Sequence, residues 1–115
     1  MIKAIINGAN CKEFVRPCIN SIKQQGDFEA IVVDDGSTDG TTKQLTKCLD
    51  SRCELRVKEK NEGPAAARWT AFRHLRAEKD DIVVLIDLDD RLNRPDAFKI
   101  IEERNIEVTL GSTLT

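Results

Sequence analysis

The chain has 115 residues, with 18 Lys and Arg against 20 Asp and Glu. That length suits one domain, 1–115, built on one core, and a net charge of -2 leaves no basic footprint for tracking a nucleic-acid backbone. No run nears the roughly 18 apolar residues of a membrane span, and the apolar start is too brief for a signal peptide, so a cytoplasmic protein is expected.

The first element in chain order is a strand over "IKAII", residues 2–6, ended by the turn-forming Asn7 and Gly8. Phe14, Cys18 and Ile22, flanked by Val15 and Ile19, then form one apolar stripe of a helix from about 12 to 25. Pro17 is tolerable there only near the first turn, because it has no N–H to donate. Gly26 and Asp27 stop the helix. "AIVV", residues 30–33, is continuously apolar, as a strand covered on both faces should be.

Asp39 and Thr41 offer caps to a second helix carrying Leu45 and Leu49. "ELRVKE", residues 54–59, alternates enough for a strand toward one sheet edge. Pro64 sits where a first helical turn accepts it, and "AAARWTAFRHLRA" has high helix propensity, with Trp69, Phe72 and Leu75 predicted inward. "DIVVLI", residues 81–86, is the strongest buried strand. A short helix with Ile100 and Ile101 inward and a last strand, "IEVTL", complete the order. Strands alternating with helices in this way predict an α/β three-layer fold with a mostly parallel sheet.

Two strands end in carboxylates, Asp34-Asp35 and Asp87-Leu88-Asp89-Asp90. The first is open to two readings, a plain turn or a ligand site at the carboxyl ends of parallel strands. In the second, three carboxylates within four residues repel one another unless a cation or hydrogen-bond donors hold them. A hard ion, Mg2+ or Mn2+, is the natural partner for such oxygens, the alternative being a solvated acidic turn.

Asp35, Ser37, Asp39 and Gly40 match the start of a calcium loop, but its twelfth place is Thr46 in place of a bidentate Glu, and a strand precedes it. In "NEGPAAAR", Gly63 permits close backbone approach at a helix start that favours an anion. Arg68, one turn in, either points at phosphate or the acidic edge or is an ordinary surface arginine. No dinucleotide fingerprint or P-loop is present.

The serines lack a nucleophile-elbow setting, and the lone His74 lies on a polar helix side. The cysteines, Cys11, Cys18, Cys48 and Cys53, fit neither a zinc knuckle nor a CxxC pair and read as reduced thiols.

Taken together, "VVDDGSTDGT", "NEGPAAARWTAF" and "VLIDLDDRLNRPDAF" resemble the nucleotide-sugar-binding half of a family 2 glycosyltransferase with the Rossmann-like GT-A fold, over about Ile2 to Val108. The resemblance implies a nucleoside-diphosphate sugar, UDP-linked by preference, whose sugar passes to an acceptor hydroxyl. It implies that Asp35, beside Asp34, accepts from the base and that the loop Asn7, Gly8, Ala9, Asn10 packs next to it. Asp87 and Asp89 stand at the DxD positions, with Asp90 adjacent, and would hold Mn2+ or Mg2+ and the ribose. Gly63 and Arg68 match the family's second nucleotide-binding motif, where Arg68 would help position the nucleotide or its acidic neighbours.

The chain departs from many family members after the first strand, where Asn7-Gly8-Ala9-Asn10 replaces a run containing a stacking aromatic. It also stops before the acceptor cleft, and no residue has a clear claim to the base that inverting transfer needs. A donor-binding half is therefore expected, either part of a longer enzyme or completed by another chain. A non-catalytic nucleotide-sugar-binding module is the competing reading. A sugar nucleotidyltransferase ranks last, because "NGANCK" lacks the Gly-rich loop that activity needs.

Overall fold

β-Branched and other apolar residues run without a break through the central strands, so both faces of those strands require cover. The structure, a computed structural model, describes residues 1–104 and the backbone of residues 109–110. It meets that requirement with five parallel strands and helices on both faces. In chain order the elements are β1 (Ile2–Gly8), α1 (Lys12–Lys23), β2 (Phe28–Asp34), α2 (Thr41–Cys48), β3 (Cys53–Val57), α3 (Pro64–His74), β4 (Ile82–Asp87), α4 (Ala97–Arg104) and β5 (Thr109–Leu110). The sheet order is β3-β2-β1-β4-β5.

The expected α/β architecture is therefore present, with β3 on an edge as its alternation predicts. Of the predicted last strand, Thr109 and Leu110 pair with β4, and 106–108 lie outside the described residues.

Side chains alternate across the sheet and divide the core in two. On one face Ala4, Ile6, Val32 and Ile86 pack with Val15 and Ile19 of α1, Leu45 of α2 and Ile101 of α4. On the other, Ile5, Ile31 and Val33 meet only Ala67 and Ala71 of α3 among fully buried residues, with Leu75, Val83 and Leu85 partly buried beside them.

This second face corrects the predicted orientation of α3. Trp69 is 62% exposed and Phe72 53%, and the two rings stack on one another at 6.1 Å. The buried stripe is Ala67 and Ala71, spaced by four, because small side chains let the helix lie close to the sheet and leave the large rings on its outer flank. Phe14 is likewise outward, 52% exposed, while Val15, Cys18, Ile19 and Ile22 carry the inner face of α1.

Pro17 lies in the interior of α1, beyond the first turn to which its missing N–H would confine it. Pro17 is exposed, and so is Glu13, whose carbonyl loses the donor, which puts the gap on the solvent side of the helix. His74 is exposed, all four cysteines are free thiols, and Ile101 is buried with Ile100 half-buried beside it.

Candidate nucleotide and metal site

Parallel strands that share a direction bring their carboxyl-terminal loops to one edge. The strand order reverses on either side of β1, and such switch points are where open α/β sheets bind ligands. Gly8 pairs with Asp34 on one side of β1, and Asn7 pairs with Asp87 on the other. The two acidic strand ends thus flank the end of β1. Tight packing keeps them there: a Cβ on Gly8 would lie 2.8 Å from that of Leu88, and Leu88 N donates to the Asn7 carbonyl at 2.9 Å.

Asp34 is fully buried, and its carboxylate is engaged on both oxygens. Oδ1 accepts from Ser37 N at 3.2 Å and Ser37 Oγ at 2.5 Å, and Oδ2 accepts from the Thr42 hydroxyl. Asp34 thus reaches the site through the turn that it organises.

Asp35, 3% exposed, takes Glu62 N at 3.1 Å and Gly63 N at 2.9 Å, with Lys58 Nζ at 3.8 Å. A carboxylate has about four acceptor sites, so two bonds leave capacity for another donor. Gly36, at φ 70°, lets the two loops touch, since a Cβ there would meet Lys60 and Asn61 backbone atoms at 2.4 Å.

The β1–α1 loop is tied to the same turn. Asn10, in the left-handed region at φ 51°, donates its N–H to Ser37 Oγ at 2.9 Å and accepts from Thr38 N at 2.8 Å through Oδ1. Asp39 joins two helix starts, accepting from Lys12 N of α1 at 3.2 Å and Thr41 N of α2 at 2.9 Å. Its hydrogen bonds, led by that from the Thr41 hydroxyl, hold its pKa below the ordinary range. Thr41 Oγ1 in turn accepts from Cys11 N at 3.0 Å. From the sequence Asp39 reads only as a helix cap or calcium-loop position, and Lys58 stands outside every motif. A lysine at the end of an edge strand, four residues before Glu62, was the available signal, and the two pair at 2.7 Å.

Across β1, Asp87, Asp89 and Asp90 each bring a carboxylate oxygen within 4.8 Å of the others. The turn is closed by Asp90 N donating to the Asp87 carbonyl at 3.0 Å. Burial, then the charges of Asp89 and Asp87, push the Asp90 pKa up. The only cationic side chain paired with this cluster among the described residues is Arg68, whose Nη2 donates to Asp87 Oδ1 at 3.1 Å. Hard oxygen donors, mutual repulsion and remaining open positions fit a Mg2+- or Mn2+-sized dication. Cys11 and Cys18 lie beneath the site, and burial raises both thiols, Cys11 to about 11, so neither supplies a thiolate at neutral pH.

The structure therefore assembles Asn7, Gly8, Asn10, Asp34, Asp35, Gly63, Arg68, Asp87, Asp89 and Asp90 along one edge. A separate cavity of about 680 Å³ lies at the opposite edge, lined by Phe28, Arg52, Arg56, Arg73 and His74, and takes in none of them.

Residues 4–111 match the family model described as Glycosyl transferase family 2. The chain is similar to the teichoic acid poly(glycerol phosphate) polymerase of Staphylococcus epidermidis, at 32% identity over 76% of this chain and 12% of that protein. It is also similar to the poly(ribitol-phosphate) beta-N-acetylglucosaminyltransferase TarS of Staphylococcus aureus, at 29% identity over 92% of this chain and 20% of that one. The chain thus spans a small part of the length of both relatives.

Among solved structures, the mannosyltransferase PcManGT of Pyrobaculum calidifontis, in complex with GDP-Man and Mn2+, superposes with a TM-score of 0.75 at 27% identity. That match covers 84% of this chain and 30% of the other. A parallel sheet with its acids gathered at the switch point and a family match over nearly the whole chain agree: this chain belongs to glycosyl transferase family 2.

Proposed function

We propose that the chain is the donor-binding domain, 1–115, of a metal-dependent glycosyltransferase that passes a sugar from a nucleoside diphosphate to an acceptor hydroxyl. The observation that carries this reading is the cluster of Asp87, Asp89 and Asp90 facing Arg68 at the switch point. In it, Asp87, Asp89 and Asp90 hold Mn2+ or Mg2+, which when bound offsets the charge of the departing diphosphate. Asp87 also approaches the ribose. Asp35 uses its spare acceptor capacity for the base, and Asn7, Gly8 and Asn10 form the wall beside it. Gly63 presents backbone at the start of α3, and Arg68 orients the acidic edge. Asp34 acts by holding the turn that carries Asp35.

UDP is the preferred carrier; the GDP-Man bound by PcManGT makes GDP the alternative to test beside it. We place the reaction in the cytoplasm, a reading that four free thiols support. No helix among the described residues is long and apolar enough to cross a membrane. The acceptor and its base are assigned to residues beyond this domain, in the same chain or another.

Calorimetric titration of UDP, GDP and their sugars, with and without Mn2+, tests the reading. Manganese-dependent binding selective for one nucleotide is expected, and binding indifferent to Mn2+ would remove the metal role. A second reading, nucleotide-sugar binding without transfer, is distinguished by incubating the full-length protein with the bound donor and acceptor glycans. Release of free nucleoside diphosphate at the rate of glycan extension rules it out.

A further inference from the structure

Among the described residues, two buried side-chain polar atoms have no hydrogen-bond partner, Asn7 Oδ1 and Arg68 Nε. Buried polar groups in folded proteins are nearly always paired, so each orphan requires an explanation. One is an acceptor and the other a donor, and both residues neighbour Asp87. Asn7 is the β1 partner of Asp87, while Arg68 reaches Asp87 from α3 at 3.1 Å. Asn7 follows Ile5, and Asp87 follows Leu85, by two positions on the face that α3 covers, so both side chains point to that helix.

We infer that Asn7 is a positioning residue that receives the Arg68 guanidinium when Asp87 turns to a cation. This rests on the metal reading of the Asp87 cluster. Without a cation, Arg68 offsets part of the repulsion among three clustered carboxylates, and Asn7 waits unpaired. With a dication bound, that task would pass from Arg68, whose guanidinium would be repelled and need another acceptor. A neutral amide oxygen suits this place better than a carboxylate, because it accepts from arginine without competing for the ion. The guanidinium has five donors in a fixed fork, so one reorientation toward Asn7 would satisfy its Oδ1 and Nε together.

Two readouts in the full-length protein test this: the thermal midpoint without metal, and the Mn2+ dissociation constant from the electron paramagnetic resonance of free Mn2+. Asn7→Leu removes an unsatisfied buried atom at similar volume, so the metal-free midpoint should rise by a few degrees. The same substitution should weaken Mn2+ binding roughly tenfold, as loss of a supporting partner to a ligand does. In an Arg68→Met background, Asn7→Leu should no longer change Mn2+ affinity.

If Asn7→Leu does not fold, Asn7→Ser against Asn7→Ala carries the comparison, since serine keeps an oxygen acceptor and should bind Mn2+ more tightly than alanine. A lower midpoint with unchanged Mn2+ affinity would make Asn7 a purely structural residue and overturn the inference alone. Failure of the unsubstituted protein to bind Mn2+ would overturn the metal reading and this inference with it.

Discussion

Two acidic clusters stand at the same sheet edge on either side of β1, and they use their charge in opposite ways. Asp34 and Asp35 are almost wholly buried, and their oxygens are taken by backbone N–H groups and hydroxyls. Asp87, Asp89 and Asp90 are more open and hold each other's charge at close range, with Arg68 as their paired cation. Buried carboxylates tolerate their location only when donors surround them, whereas clustered carboxylates short of donors keep free capacity for a ligand. The first pair builds the edge, with spare acceptor capacity only at Asp35, and the second group keeps most of its oxygens open.

The largest expected effect is on the building side. Asp34→Ala strands the Ser37 and Thr42 donors and should cost about 2–4 kcal/mol, read by urea unfolding. A loss below about 0.5 kcal/mol would make Asp34 as dispensable as a surface acid. Asp89→Ala should do the reverse, abolishing Mn2+-dependent nucleotide binding in calorimetry with unfolding free energy unchanged or higher. Retained metal dependence would take Asp89 out of the ion site.

Asp35→Ala tests the residue proposed to do both jobs. It should cost about 1–3 kcal/mol by releasing Glu62 and Gly63, and it should weaken the preferred nucleotide more than the others. Equal weakening for UDP and GDP would leave Asp35 with a loop-holding role only.

The smallest effect is a pH dependence. The folded-state pKa of Asp90 is raised above the ordinary 3.8, so its charged form destabilises the metal-free fold. As pH falls through the raised value toward 3.8, that destabilisation is relieved while Mn2+ affinity declines, because a proton and the ion compete for the carboxylate. Asp39 is shifted the opposite way, and its contribution is lost only as pH falls below 3.8 toward its lowered value. Asp90→Asn should therefore flatten the upper part of the stability profile, measured by unfolding across acidic pH, and leave the lower part intact.

Much of the fold was legible because its signals are local. Apolar runs ending in Gly, Asp and Asn locate β1, β2 and β4, and Pro64 after Gly63 marks the start of α3. The orientation of α3 was not legible, since Trp69 and Phe72 offer far more apolar surface to bury than alanine. Which stripe is buried depends on how close the helix lies to the sheet, a tertiary quantity. The interior position of Pro17 was hidden for a related reason, because its tolerance depends on the gap lying on the solvent side of the helix.

By itself, then, the sequence determined the alternation of strands and helices, the residue types at the strand ends and their resemblance to one family. Those follow from periodicity, turn chemistry and motif order, each of which acts over a few neighbouring residues. Only the tertiary structure decided that Asp35 is tied to the loop before α3 while Asp87, Asp89 and Asp90 stay more open, and that Asn7 and Arg68, each with an unpaired buried atom, both neighbour Asp87. A carboxylate's role depends on the donors within about 3 Å of it: those of Asp34 are near in sequence, at Ser37 and Thr42, whereas those of Asp35 and Asp87 come from the loop before α3 and from α3 itself, 19 to 28 residues away along the chain.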